Sequence, residues 1–297
     1  MLALVCLPYL SHILGQSNPY YRGSAIHPAM TGTVLLTGAS SGIGLSMTRI
    51  LAKDGWNLIV VGRNQEALEK IREELEFPNH ISVYVIVKDL SKDGAAEELY
   101  SDVKKMKLQV DFLINCAGIG DFGRFADSKL QRQIDQVHIN DLSLTVLTRL
   151  FLPDMIARGS GRVLNVSSIA AFQPGPLMSV YYASKAYVQS FTEALAVELK
   201  GTGVRVSVLC PGPTDTPFLV EAGQTGQNMF KKSACKTADY VAEYGLKRAM
   251  KNKVVIVVGL SSKLLIFFER LLPRSVIRRV VYMIQKKPVK KEKKKKE

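Results

Sequence analysis

Apolar positions along this chain fall into two patterns that alternate. A short, continuously apolar run, VLLTG (34–38), gives way to a stretch in which Ile43, Met47, Ile50 and Leu51 recur at helical spacing until Gly55. A second run follows at NLIVVGR (57–63), then a charged helical stretch from Gln65 to Glu76. The alternation continues with strands expected at 81–90, 110–118, 161–170, 204–213 and 254–259, and helices at 95–106, 144–159, 181–201 and 237–251. Strands this apolar have no wet face, and helices between them supply parallel crossovers. The pattern therefore predicts an α/β fold: a single doubly wound domain, with a parallel sheet of about seven strands and helices on both faces.

The ends differ from the body, which spans 30–260. Residues 1–29 begin apolar but carry Pro8 and His12, and no Lys or Arg precedes the run. They are expected to be a disordered arm, or to precede a true start at Met30, with weak membrane contact as the other reading. Residues 261–285 place apolar side chains at helical spacing on either side of Pro273, which predicts two short amphipathic helices. Residues 286–297 form a polylysine tail, expected to be disordered.

Composition sharpens this division. With 297 residues, 47% of them hydrophobic, the chain can bury a large core, and disorder throughout is excluded. The net charge of +14 suggests a nucleic-acid or membrane partner until it is located. The tail holds eight Lys against two Glu, or +6, and residues 263–279 add +4, so the remainder carries only +4. Nucleic acid is therefore not an expected partner. A basic amphipathic pair followed by lysines fits peripheral membrane contact through 263–297, and equally fits helices that cover a substrate pocket or an oligomer interface. Cys6, Cys116, Cys210 and Cys235 stand far apart, with neither a CxxC pair nor His at ligand spacing, so no metal site or disulfide framework is expected. The expected setting is cytoplasmic or the cytosolic face of a membrane, with the endoplasmic reticulum membrane as the alternative.

Candidate chemistry begins at the first strand-to-helix turn, where Gly38, Ser40, Ser41, Gly42, Ile43 and Gly44 form a GxxxGxG turn. Such a turn lets the backbone approach a pyrophosphate, and the amides at the following helix start attract its charge, as in Rossmann-type dinucleotide binding. At the end of the second strand stand Gly62 and Arg63, with no Asp or Glu. An acid there would bond the ribose hydroxyls of NAD, whereas Arg pairs with the 2′-phosphate of NADP. NADP(H) is favoured, and NAD(H) is the alternative. Further on, Tyr181 and Lys185 are one helical turn apart and share a face. A phenol with a pKa of about 10 is a poor base at neutral pH, and a nearby ammonium favours its ionised form.

These motifs fall in order with others: Asp89-Leu90, Asn115-Cys116-Ala117-Gly118, Asn140, Ser167-Ser168 and Pro211-Gly212-Pro213-Thr214-Asp215-Thr216. Over 33–260 the chain resembles the classical type of the short-chain dehydrogenase/reductase family. The resemblance implies that Tyr181 exchanges a proton with the substrate oxygen while hydride passes to or from the nicotinamide. It implies that Lys185 holds the nicotinamide ribose, Ser168 rather than Ser167 bonds the substrate oxygen, and Asn140 anchors a water leading toward Lys185. Asp89 would bond the adenine amino group with Leu90 alongside, while Asn115, Ala117 and Gly118 would line the adenosine ribose. Pro211, Gly212, Thr214 and Thr216 would hold the nicotinamide carboxamide. Cys116 departs from the family's usual second Asn.

The same resemblance places a mobile substrate lid after Thr216, where Phe218, Leu219, Met229 and Phe230, with Phe172 and Met178, suggest an apolar wall. It also implies a homo-oligomer built through helices near Tyr181, unless the C-terminal extension blocks that contact. The expected activity is NADP(H)-dependent hydride transfer to a ketone or from a secondary alcohol, with a small, apolar or lipid-like substrate. The alternative is a catalytically silent nucleotide-binding or regulatory protein on the same fold, against which the complete set Asn140, Ser168, Tyr181 and Lys185 argues.

Overall fold

The computed structural model describes residues 32–223 and 235–286. In β1 (Thr33–Thr37), Val34 and Leu36 face one apolar cluster and Leu35 faces another on the opposite side of the sheet. All three are fully buried, which is why the strand is apolar without alternation. The chain continues through α1 (Gly42–Lys53), β2 (Asn57–Gly62), α2 (Gln65–Asn79), β3 (Val83–Val87), α3 (Ala95–Lys105) and β4 (Phe112–Asn115). Next come α4 (Leu130–Val137), α5 (Ser143–Ala157), β5 (Gly161–Val166), α6 (Ser179–Glu198) and β6 (Val204–Cys210). The rest comprises β7 (Thr214–Asp215), α7 (Phe218–Glu221), β8 (Lys236–Thr237), α8 (Ala238–Met250), β9 (Val255–Val257), α9 (Leu260–Glu269) and α10 (Arg274–Gln285).

Seven strands form one sheet in the order β3-β2-β1-β4-β5-β6-β9, and every neighbouring pair is parallel. Helices α1, α2 and α8 cover one face through residues such as Met47, Leu68 and Leu246. Helices α3 and α5 cover the other through Leu99, Leu147 and Met155. The predicted α/β doubly wound architecture is thus observed. Chain direction across the sheet reverses between β1 and β4, and at such a point the strand ends open a crevice.

Several strands are shorter than their apolar runs suggest. The run 110–118 contributes only Phe112–Asn115 to the sheet, and 161–170 only Gly161–Val166. The residues that follow these strands, 116–118 and 167–170, leave the sheet at its carboxyl edge, where they wall the crevice. Helix α4 is an addition to the predicted elements. Its Leu130, Ile134 and Val137 stand at helical spacing but are exposed, so the spacing marks no core face. The N-terminal arm and residues 287–297 lie outside the described residues.

Candidate active site

The turn after β1 depends on its glycines. Gly38 has φ 70°, and a Cβ there would stand 2.9 Å from the backbone of Ala117; a Cβ on Gly44 would stand 2.0 Å from the Gly38 carbonyl oxygen. Ser41 precedes α1 without capping it through its side chain, and the first turn carries no acid, so the amide end of the helix is left for an anion. Thr37 closes the crevice floor: its Oγ1 accepts from the amides of Cys116 and Ala117, each at 3.1 Å, and so ties the exits of β1 and β4 together. Sequence reasoning did not single out Thr37, because its role depends on a strand 77 residues away.

At the far end of the turn, Ser40 Oγ lies 3.4 Å from where a Cβ on Gly62 would sit, which places Ser40 against the end of β2. Arg63 is exposed immediately beyond it. Burial raises the Asp89 carboxyl, but hydrogen bonds from Ser91 and the charge of Arg63 outweigh it, and its pKa falls below the ordinary value. Ser40, Arg63 and Asp89 therefore share one end of the crevice. Leu90 is a buried core side chain whose carbonyl accepts from Ser143 Oγ at 2.9 Å. Ala117 and Gly118 line the cavity. The Asn115 side chain turns inward instead: it donates to Thr148 Oγ1 at 3.1 Å and Asn165 Oδ1 at 2.9 Å.

The second group converges from β5 and α6. Ser168 follows β5, and its side chain stands near enough to Tyr181 to lower the pKa of that phenol. Its Oγ also accepts from the Ala170 amide at 3.1 Å, which caps the short 3-10 turn Ile169–Phe172. Ser167 is committed elsewhere, donating to the Lys185 carbonyl at 2.7 Å. Tyr181 lies in the first turn of α6, and burial pushes its phenol up against the lowering effect of Ser168. Lys185 Nζ donates to the Val166 carbonyl at 3.0 Å and lies 5.7 Å from the centre of the Tyr181 ring. Burial lowers the Lys185 pKa, while Asp141 opposes that shift.

Asn140 occupies a π-helical turn, His138–Leu142, between α4 and α5. Its Oδ1 accepts from the Ile119 amide at 2.9 Å, and its Nδ2 donates to the Ile119 carbonyl and to Ser184 Oγ, each at 3.0 Å. Gly118 brings this group beside Lys185: a Cβ there would stand 3.3 Å from Lys185 Nζ and 3.4 Å from Asn140 Oδ1. The adjacent Asp141, which the motif reading passed over, has its carboxyl raised to about 6 by burial, with Lys185 pulling the other way.

A cavity of about 560 Å³ joins the glycine turn to Ser168 and Tyr181. Pro211, Gly212, Thr214 and Thr216 form part of its wall, and Thr216 Cγ2 lies 3.1 Å from where a Cβ on Gly42 would sit. Of the expected apolar wall, Met178, Phe218 and Leu219 line it, and the rings of Phe218 and Tyr181 are 5.2 Å apart. Phe172 packs instead against the small cluster around Val188 and Cys210. Met229 and Phe230 lie outside the described residues. The remaining wall comes from α9 and α10, through residues including Leu265, Phe268, Ile277 and Val281. Among the described residues there is no cluster of metal-ligand type, and no helix is long and apolar enough to cross a membrane.

A parallel sheet whose switch-point crevice opens onto a Ser–Tyr–Lys set is the architecture of a nucleotide-binding oxidoreductase acting on CH–OH and C=O groups. The chain belongs to the short-chain dehydrogenase family, whose model matches residues 32–227. It is 36% identical to a ketoacyl reductase of Nostoc sp., over 77% of this chain and 79% of the relative. It is 33% identical to the 17-beta-hydroxysteroid dehydrogenase type 3 of Mus musculus, over 72% of this chain and 67% of the relative. Among solved structures it is similar to a short-chain dehydrogenase from Sphingobium yanoikuyae in complex with NADPH. That match has a TM-score of 0.73 at 24% identity and covers 81% of this chain and 93% of the other.

Proposed function

We propose that the protein is an NADP(H)-dependent oxidoreductase that reduces an apolar, lipid-like ketone or oxidises the matching secondary alcohol, with Tyr181 as general acid/base. The observation that carries the proposal is the meeting of Tyr181, Ser168 and Lys185 on the wall of one cavity whose outer part is apolar. The relatives' names accord with it, since a ketoacyl group and a hydroxysteroid both set one oxygen in an apolar frame.

The residues present fit a dinucleotide. The uncapped start of α1 would hold the pyrophosphate, and Ser40, Arg63 and Asp89 would hold the adenosine end. Arg63 supplies the cation for a 2′-phosphate, which is the reason for preferring NADP(H) to NAD(H). Bound there, the nicotinamide supplies or accepts the hydride. Ser168 Oγ and Tyr181 Oη hold the substrate oxygen between them, and Tyr181 gives it a proton in reduction or takes one in oxidation. Lys185 would hold the nicotinamide ribose and, with its Nζ 5.7 Å from the centre of the Tyr181 ring, would favour the phenolate. Asn140, locked on Ile119 and Ser184, fixes the π-helical turn beside Lys185 and anchors a water that passes protons toward it. The apolar wall keeps other water out.

We also place the protein at the cytosolic surface of a membrane, which it meets through 263–297. The activity is tested by a panel of apolar ketones and secondary alcohols read by NADPH absorbance. Turnover of at least one ketone, lost in Tyr181→Phe while NADPH still binds, is the expected outcome. Unchanged turnover in that variant overturns the role of Tyr181.

A further inference from the structure

The single helical turn α7 carries Phe218 and Leu219 into the substrate wall, and one turn has too few hydrogen bonds of its own to hold its place. Its last carbonyls are taken up by the body of the fold instead. The Ala222 carbonyl accepts from the Phe122 amide at 2.8 Å, and the Glu221 carbonyl accepts from Arg132 Nη2 at 3.1 Å. The same Arg132 nitrogen donates to the Gly120 carbonyl at 2.9 Å, so one side chain of α4 joins α7 to the loop that leaves β4. Gly120 permits the close approach: a Cβ there would stand 3.0 Å from Phe218 Cζ, 3.2 Å from Ala222 Cβ and 3.2 Å from Met178 Cε. From the other side, the Gly123 amide donates to the Leu177 carbonyl at 2.9 Å, just ahead of α6. Three segments thus close around Gly120, and both Phe218 and Met178, packed on it, line the cavity. The Phe218 ring centre ends 5.2 Å from that of Tyr181.

We propose that Arg132 is a positioning residue that sets substrate selectivity: it latches α7 onto the 120–123 loop and so keeps the Phe218 ring beside Tyr181, where the ring limits the bulk of one arm of the ketone. Arg132 does not itself line the cavity, and it acts through Phe218. Both of its bonds come from one nitrogen, so a donor at that point matters more than the planar fork of the guanidinium. The carbonyl that reacts has to reach Tyr181, and an arm on the side of Phe218 then meets an aromatic ring whose tip rests against Gly120. A close-packed wall of this kind yields little, and each added methylene is felt. The inference rests on the proposed carbonyl chemistry and deepens it: the favoured substrates are ketones with one small arm, and the secondary alcohols they form.

The test uses the full chain with two isomeric straight-chain ketones, one a methyl ketone and one with its carbonyl nearer the middle of the chain. Steady-state reduction with NADPH gives the ratio of their kcat/KM values, which does not depend on how much of a preparation is folded. The full chain should favour the methyl ketone on the order of tenfold. Arg132→Met, which keeps the stem without its donors, should lower that ratio about fivefold and leave the dissociation constant of NADPH unchanged. Arg132→Lys, which restores a donating nitrogen, should recover part of the ratio. Phe218→Ala should lower the ratio by itself, and adding Arg132→Met to it should change nothing further. Equal reduction of the two isomers by the full chain overturns the proposal. So does a ratio untouched in Arg132→Met, or a loss that simply adds to that of Phe218→Ala. Hydrogen exchange followed by mass spectrometry reads the latch without turnover: Arg132→Met should speed exchange in segments 119–123 and 218–222 but not in the sheet. Unchanged exchange there overturns the latch whatever the activity. Faster exchange, in a protein whose full chain reduces no ketone, would refute the catalytic reading and leave the latch standing.

Discussion

Side chains at this site are set by what each is buried against. Asp141 shows it best: burial raises its carboxyl from 3.8 to about 6, even though the Lys185 ammonium lowers it. The folded chain thus holds this proton more tightly than the unfolded chain does. The contribution favours the fold fully below pH 4 and is lost as pH rises through about 6. Asparagine mimics the protonated form at every pH. Asp141→Asn should therefore be more stable than the parent at neutral pH by about 1–2 kcal/mol, after allowance for solvent screening of a half-buried group. Its denaturation midpoint should also vary less between pH 4 and 6, and an unchanged pH slope would refute the assignment. The sequence made Tyr181 and Lys185 legible from their spacing on one helix, and Ser168 and Asn140 only through the family resemblance. It could not reveal that Asn115 turns toward Thr148 and Asn165, or that Glu269 and Gln285 reach the cavity, since those facts depend on how distant helices pack.

Elements were legible to the extent that a core face imposes a period. Both faces of the sheet are buried, so the strands stand out as apolar runs, but those runs continue past the last ladder bond into the crevice. The π-helical turn at His138–Leu142 carries no such period and had no sequence signal. What holds the crevice floor is a link between elements, Thr37 Oγ1 accepting from two amides at the exit of β4. Thr37→Val keeps the shape and the burial of the strand end but leaves both amides without that acceptor. It should destabilise the protein by about 1–3 kcal/mol, and it should weaken NADPH binding because the glycine turn then loses its anchor to β4. Thr37→Ser, which retains the oxygen, should recover most of both losses in denaturant titration and nucleotide binding. Equal behaviour of the valine and serine variants would place the role of Thr37 in packing alone.

Over the whole molecule, charge and exposed apolar surface gather at one end. The inner faces of α9 and α10 close the cavity, yet Leu264, Phe267, Leu271 and Met283 are 48%, 57%, 67% and 66% exposed and lie outside its wall. Around them stand Lys263, Arg270, Arg274, Arg278 and Arg279, ahead of a tail rich in lysine. Such a surface fits the headgroup region of an anionic bilayer, where the apolar side chains enter the acyl boundary and each nearby basic residue adds about 1 kcal/mol. Docking in this orientation would bring the membrane beside the half-exposed Leu265, Phe268 and Ile284 of the cavity wall, which would give the proposed lipid-like substrate a short path. The full chain should cosediment with phosphatidylserine-containing vesicles at low salt, and far less with phosphatidylcholine alone. Raising the salt should release it, because screening shortens the reach of the exposed cations. Replacing Leu264, Phe267 and Leu271 by serine should weaken the association without altering reduction of a water-soluble ketone, since none of the three lines the cavity. Retention of the full chain in the supernatant with anionic vesicles at low salt would assign the exposed face of α9 and α10 to something other than a membrane.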